Sequence, residues 1–261
     1  MLTAPDAPAR PACVVVPFWN EAAGMGATLA ALAAQADRDF TLVLVDNAST
    51  DASADVARAF AGPLGAGAGL DVRLVREPRK GTGAAADTGV RHAIRRGARW
   101  VARTDADCLP APDWLARLRA AVEGEGQEFV AGRIKPRADE GPMPWTRRVT
   151  LAAMIWAAER YGRLHRRGPQ FRYPYFLAAG NNLAITAELY ERAGGFPRTA
   201  IEEAHEDRVL SERVRTLTGR ARVVPEAVVY NSARRVRAYG CVNTLRWYRN
   251  HGYRPAAVDV R

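Results

Sequence analysis

The chain has 261 residues, 48% of them apolar, with 38 Lys and Arg against 28 Asp and Glu for a formal net charge of +10. That apolar share fills one large α/β core or two intimately packed lobes, and one compact unit is expected. The three cysteines, Cys13, Cys108 and Cys241, are far apart and lie in no Cys-x-x-Cys spacing, which argues against zinc and for reduced thiols in a cytoplasm. Residues 1–10 lack the apolar run of a signal peptide, and no later run nears the roughly 20 apolar residues that span a bilayer. A protein neither secreted by that route nor membrane-spanning is therefore expected.

In chain order, Ala12-Cys-Val-Val-Val-Pro17 is a short β-branched run that reads as a buried strand. Residues 22–35 follow with Met25, Leu29 and Leu32 at helical spacing, completing a first βα unit. Thr41-Leu-Val-Leu-Val45 is a second strand, ended by Asp46-Asn-Ala-Ser-Thr-Asp51, whose short polar side chains suit the cap of a helix carrying Val56, Ala59 and Phe60. Gly62 to Gly69 reads as a surface loop and Val72-Arg-Leu-Val75 as a third strand. Arg79-Lys-Gly-Thr-Gly83 then opens a helix running through about Ile94, and the apolar stretch Ala98 to Thr104 ends in Asp105-Ala-Asp107.

Strands alternating with helices predict a parallel sheet with right-handed crossovers, and ligands of such sheets sit at the carboxyl ends of the strands. Residues 17–21, Asp46, Lys80 and the Asp105/Asp107 pair all fall at such ends. Two carboxylates one residue apart there can hold a hard divalent cation beside a diphosphate.

Six motifs in order carry a resemblance: Val14-Val-Val-Pro-Phe-Trp-Asn-Glu21, Leu44-Val-Asp-Asn-Ala-Ser-Thr-Asp51, Lys80-Gly-Thr-Gly83, Thr104-Asp-Ala-Asp107, Ala179-Gly-Asn-Asn182 with Gly194-Gly-Phe-Pro197, and His205-Glu-Asp-Arg-Val-Leu210. Over roughly residues 12–230 the chain resembles the inverting family 2 glycosyltransferases of GT-A fold. The resemblance implies an α/β fold with a Rossmann-like, mostly parallel central sheet flanked by helices. Its domain would span 11–230, with a nucleotide-sugar half (11–108) and an acceptor half (109–230), between a leader (1–10) and a basic, aromatic tail (231–261).

It further implies transfer of a sugar from a nucleotide-diphosphate sugar, UDP-linked by preference or GDP-linked, to a hydroxyl acceptor that is a glycan, a lipid-linked sugar or a small metabolite. Pro17, Phe18 and Glu21 would wall the nucleoside. Asp46 would read the base, or else serve only a capping turn. Asp105 would lie near the ribose, and Asp107 with it would ligate Mg²⁺ or Mn²⁺ on the diphosphate. Lys80 and its glycine-flanked loop would reach the donor, or the glycines serve only the turn; relatives often carry Arg-Asn further along this helix, where this chain has Ala86-Asp87. Asp207 would be the base that takes the acceptor's proton, with Glu206 as the alternate. The competing reading for both is a pair of acids stabilising a helix start. Asn181 and Asn182 would line the acceptor or sugar pocket, or are turn residues.

After the apolar segment 221–230 many relatives place a metal-binding His where this chain has Asn231-Ser-Ala-Arg-Arg235. Arg234 and Arg235 are candidate diphosphate clamps, the alternative being a solvated basic loop. Residues 231–261 hold seven Arg and one Asp, with Arg237, Arg246, Arg249 and Arg254 among Tyr239, Trp247, Tyr248 and Tyr253. Such a tail packs on the domain or touches an anionic membrane face peripherally. Residues 147–165 carry Leu151, Met154, Ile155 and Ala158 on one helical stripe, expected to be mostly core, in an insertion bordering the acceptor site. A sugar nucleotidyltransferase would share the crevice but needs a Gly-rich loop after the first strand, which 17–21 is not. A nucleic-acid-binding protein is suggested by charge alone and by no motif, so no nucleic acid is expected.

Overall fold

A computed structural model describes residues 10–64, 67, 69–141, 144–165, 167–198 and 205–250, the side chains of 63, 64, 148, 151, 158 and 245–250 excepted. The leader 1–9 and, in the tail, Tyr253 and Arg254 lie outside these residues, as do the side chains of Arg246, Trp247, Tyr248 and Arg249. Among the described residues one eight-stranded sheet runs in the order β3-β2-β1-β4-β7-β6-β8-β5. Its first half is the expected parallel unit: β1 (Ala12–Phe18) lies between β2 (Thr41–Asp46) and β4 (Trp100–Arg103), with β3 (Asp71–Arg76) outside β2. The second half is mixed. β7 (Leu183–Thr186) runs antiparallel to both β4 and β6 (Phe129–Pro136), β8 (Ala221–Asn231) is parallel to β6, and the short β5 (Cys108–Pro110) closes antiparallel on β8.

Successive side chains of a strand point to opposite faces, and here both faces are apolar because helices cover both. Val14, Val16 and Phe18 join Leu42, Leu44 and Trp100 in one core layer, under α1 (Met25–Ala33) and α4 (Trp114–Arg119). Val15, Val43, Val45 and Val101 form the other, under α3 (Thr82–Arg95) and Leu210 and Val214 of α7 (Glu206–Leu217). Gly89 lets α3 sit down on the sheet, since a Cβ there would stand 2.5 Å from Val15 Cγ1 and 2.7 Å from Val45 Cγ2. α2 (Ser53–Ala59) follows β2, and α6 (Ala187–Arg192) follows β7 with Thr186 as its N-cap, the hydroxyl accepting from Leu189 N.

On the insertion helix α5 (Trp145–His165), Ile155 of the stripe expected to be core is 40% exposed and Met154 is half-buried, while the side chains of Leu151 and Ala158 lie outside the described residues; elsewhere on the helix Trp145, Val149, Trp156, Tyr161 and Leu164 are exposed. Over its described part the tail is helical and partly buried. It folds into α8 (Arg234–Asn250), broken at Gly240 by a positive φ of 72°, with Val236 and Thr244 buried.

Candidate functional site

Four parallel strands end on one edge, and the loops that follow them are tied to each other. Asn47 N donates to Phe18 O, joining the β1 and β2 ends. The Asn47 side chain then spans to the third loop: Nδ2 donates to Glu77 O (3.1 Å) and Arg79 O (2.7 Å), and Oδ1 accepts from Gly81 N (2.9 Å). That linkage sets Lys80 at the crevice, its Nζ 4.7 Å from the centre of the Trp19 ring. The glycines here are steric as well as permissive. Gly81 has φ 140°, and a Cβ on Gly83 would meet Pro197 O at 2.2 Å and Glu206 Cβ at 3.1 Å.

Of the proposed nucleoside wall, Pro17 and Phe18 are buried within β1, and Phe18 belongs to the core layer of Val14 and Val16. This corrects the expectation for the Phe18 side chain. Trp19, half-buried and under Lys80, is the aromatic at this edge. Asp46 Oδ1 accepts from Ser49 N (2.9 Å) within the loop, ahead of the start of α2 at Ser53, and the residue lies in register with Phe18 at the strand end.

Arg103, which the sequence reading passed over, organises the acids. It is 1% exposed on β4 and donates from one terminal nitrogen to Asp105 Oδ1 (3.2 Å) and Glu206 Oε1 (3.0 Å). Its guanidinium faces the Phe196 ring at 5.1 Å, and Gly180 makes room, since a Cβ there would stand 2.8 Å from Arg103 Cζ. Burial opposes charge on Arg103, yet Asp105, Glu206 and Asp207 together hold it well above its ordinary pKa. A lone arginine ending an otherwise apolar strand, directly before Thr104-Asp105, was the available signal.

Asp207 sits beside Glu206 at the start of α7. Its Oδ2 accepts from Gly180 N (3.0 Å) and its Oδ1 from Arg208 N (2.7 Å). Burial nevertheless raises its pKa above the ordinary carboxylate value, against those N–H groups and Arg103. Asp105 is likewise raised, by burial first and then by Asp107 and Glu206, with Arg103 pulling the other way.

Across the crevice Arg234, the first residue of α8, forks onto Glu21, Nη1 donating to Oε2 at 2.8 Å and Nη2 to Oε1, and stands 3.4 Å from Asp107 Oδ2. Burial raises the Glu21 pKa, opposed by Arg234 and reinforced by Asp107 and Asp105. Arg235 is half-buried beside it. Cys108, its thiol pushed well up by burial and by Asp107, is in hydrogen-bond reach of Asp107 Oδ1 (3.4 Å) and Asn231 Oδ1 (3.3 Å). Asn231 thus stands next to the Asp107 end of β5, where relatives are expected to carry His.

The two asparagines part ways. Asn181 Nδ2 reaches Cys108 Sγ (3.6 Å), while its buried Oδ1 has no partner among the described residues. Asn182 is fully buried and spent inside the fold: Trp114 Nε1 donates to its Oδ1 (2.9 Å), and its Nδ2 donates to Arg133 O and Ala227 O (3.0 Å each). It fills the bulge where the β6–β8 register jumps after Gly132. This corrects the expectation of a pocket-lining Asn182.

Asp105 and Asp107 offer hard oxygen donors, and no cluster of three or more His, Cys, Asp or Glu suited to a metal ion is assembled among the described residues. Two carboxylates fit a cation that completes its shell with phosphate oxygens and water, as Mg²⁺ does.

The profile described as Glycosyl transferase family 2 matches residues 13–186. The chain belongs to that family. An uncharacterized glycosyltransferase of Mycobacterium bovis is 31% identical over 184 residues, 70% of this chain and 74% of that protein. Glycosyltransferase AglE of Haloferax volcanii is 30% identical over 124 residues, 47% of this chain but 38% of that protein. Among solved structures, the mannosyltransferase PcManGT from Pyrobaculum calidifontis, determined with GDP-Man and Mn²⁺, superposes with TM-score 0.62 at 26% identity, covering 88% of this chain and 61% of that one. Residues 1–349 of S. aureus TarS with UDP superpose with TM-score 0.63 at 15% identity, covering 85% and 60%. The fold is of GT-A type, and the chain spans 38% of AglE and about 60% of the two solved chains.

Proposed function

We propose that this family 2 chain transfers a sugar from a nucleotide-diphosphate sugar to a hydroxyl acceptor with inversion, Asp207 acting as the base. The observation that carries the reading is Asp207 itself: both oxygens are held by backbone N–H groups, burial raises its affinity for a proton, and the Arg103 charge that acts on it is bonded to its neighbour Glu206 and to Asp105. A base held rigidly with an elevated pKa takes a proton from an attacking hydroxyl more readily than a solvated carboxylate does. Glu206, engaged by Arg103 at 3.0 Å, is less free to do so and serves as a positioning residue.

On the donor side, Trp19, Glu21, Asp46 and Lys80 would receive the nucleoside and diphosphate, with Arg234 and Arg235 as cations for the departing phosphates. Asp107 with Asp105 would hold Mg²⁺ or Mn²⁺, which supplies Lewis-acid neutralisation of the diphosphate when bound. Support comes from the neighbour determined with GDP-Man and Mn²⁺ and from those with UDP or UDP-GlcNAc. The acceptor is an unidentified hydroxyl compound to which Asn181 contributes.

The test is Asp207→Asn. It should abolish transfer while leaving the affinity for UDP or GDP, titrated calorimetrically with and without Mn²⁺, within about twofold of the parent. Transfer at the parental rate would overturn the assignment of the base. Failure of either nucleotide to bind the folded parent would overturn the donor class.

A further inference from the structure

Helix α5 is poorly explained as part of the domain. Its principal packing partner among the helices and strands is α8, and it seats on the body where Gly162 lies against Tyr175, a Cβ there falling 2.2 Å from the ring. About a third of a turn round from that seat another face is open. Trp145 (74% exposed), Val149 (58%) and Trp156 (65%) stand there with exposed Ala152, at steps of four, three and four residues that put all four on one helical face. Continuing at the same step, Arg160 and Arg163 extend that face, and both are exposed, as are Arg147 and Arg167. Residues 144–167 contain six Arg and a single acid, Glu159.

We infer that this face of α5 rests on an anionic lipid surface. Two exposed tryptophans on one face bring a large apolar area and an indole N–H each, which suits the boundary between headgroups and acyl chains. Arg160 and Arg163 along the same face complement a negatively charged leaflet, and their long apolar stems let the charge stay at headgroup level while the helix settles. No helix among the described residues is long and apolar enough to cross a membrane, so the contact is peripheral.

The location gives the contact a purpose. The segment leading into α5 leaves β6 at Pro136, in register with Asn231, and Arg137 from that segment donates to Asp107 O (3.1 Å). At its other end the chain returns through Tyr175 to Gly180, which holds Asp207. A bilayer against α5 would therefore lie beside the acceptor side of the crevice. That consequence rests on the transferase reading; the surface itself does not.

Flotation of the full chain with phosphatidylcholine vesicles, with and without phosphatidylglycerol, tests the inference. Expected are flotation with the anionic vesicles, weakened by added salt, a blue shift of tryptophan emission on binding, and about a tenfold loss of partition in W145S/W156S. Weaker preference for anionic lipid is expected in R160Q/R163Q. Nucleotide binding is measured on the same variants: if it persists while flotation falls, the effect belongs to α5, and if the parent floats but binds no nucleotide, the transferase reading alone fails. Absence of flotation, equal flotation of W145S/W156S, or a stable dimer in light scattering that this variant dissociates would each overturn the inference.

Discussion

Arg103→Met removes a guanidinium that faces Asp105, Glu206 and Asp207 from inside the sheet, at nearly the same volume. Deleting one partner of a buried ion pair typically costs about 3–5 kcal/mol, because the other charge is left uncompensated. Here the Glu206 side chain is 10% exposed and that of Asp105 34%, so Asp105 is partly screened by water and the lower end of the range applies, about 3 kcal/mol at pH 8. The carboxyl groups can escape the penalty by binding protons, since their folded pKa values, raised already in Asp105 and Asp207 by burial, rise further without Arg103. A group whose folded pKa lies above its unfolded value destabilises the fold at pH above that folded pKa, and the penalty disappears below the unfolded value, near 4. Urea unfolding should therefore find parent and variant about 3 kcal/mol apart at pH 8 and roughly 1–2 kcal/mol apart at pH 5. Arg103→Lys, which keeps the charge on a shorter side chain, should fall between them. A gap below about 1 kcal/mol at pH 8, or one that does not change with pH, would refute the idea that Arg103 compensates this cluster.

Asn182→Ala strands Trp114 Nε1, Arg133 O and Ala227 O in the core and should cost about 2–4 kcal/mol by denaturant unfolding; a near-neutral result would return Asn182 to the crevice. Gly83→Ala sets a methyl against Pro197 O and Glu206, so the 196–198 segment must shift; about 1–3 kcal/mol of stability and most of the transfer rate should be lost, and an unchanged melting temperature would show that the contact yields cheaply. Burial pushes the Glu77 carboxyl up, but the Thr88 hydroxyl, Arg79 N–H and Arg198 outweigh it and hold the group below its ordinary pKa. Its stabilising contribution is thus present above the unfolded carboxylate pKa and is lost as pH falls through the folded one. Glu77→Gln should be destabilised by roughly 1–2 kcal/mol near neutrality and by progressively less toward pH 3, and a constant difference would contradict that linkage.

The parallel half of the sheet was readable because β1, β2 and β4 are buried on both faces, which makes each a continuous apolar run, and because their loops carry the polar motifs. The antiparallel half was not. β5 and β7 have three and four residues, too short for alternation to register, and β7 owes its place between β4 and β6 to tertiary packing rather than to local propensity. Among site residues, the acids were legible because a carboxylate at a strand end is costly unless used. Phe18 was misplaced for a reason present in the sequence: it shares the parity of Val14 and Val16, which puts it in the core, and Trp19 follows with the opposite parity. Asn182 looks the same as Asn181 in one dimension. Only the bulge opposite Gly132, created by Pro225 to Ala227 falling out of register, gives its amide three internal partners.

The chain's net positive charge and its acidic crevice fit together through two arginines. Glu21, Asp105, Asp107, Glu206 and Asp207 are crowded enough that burial and mutual repulsion raise three of them. Arg103 answers from the sheet and Arg234 from α8, and the two differ in what a ligand can change. Arg103 is sealed beneath Gly180 and Phe196, so it fixes the geometry of Asp105 and Glu206 whether the crevice is filled or empty. Arg234 is one-third exposed and shared between Glu21 and Asp107. A divalent cation arriving with a diphosphate would compete for Asp107 and offer Arg234 phosphate oxygens in exchange, a swap that gives up only one 3.4 Å ion pair while the fork onto Glu21 stays in place. Three residues along the same helix, Arg237 grips Glu140 O and Gly141 O at the root of α5. One turn of α8 therefore joins the proposed donor site to the segment that carries the exposed tryptophans. Arg237→Ala should loosen α5 without touching the acids, separating the two ends of that connection in one variant.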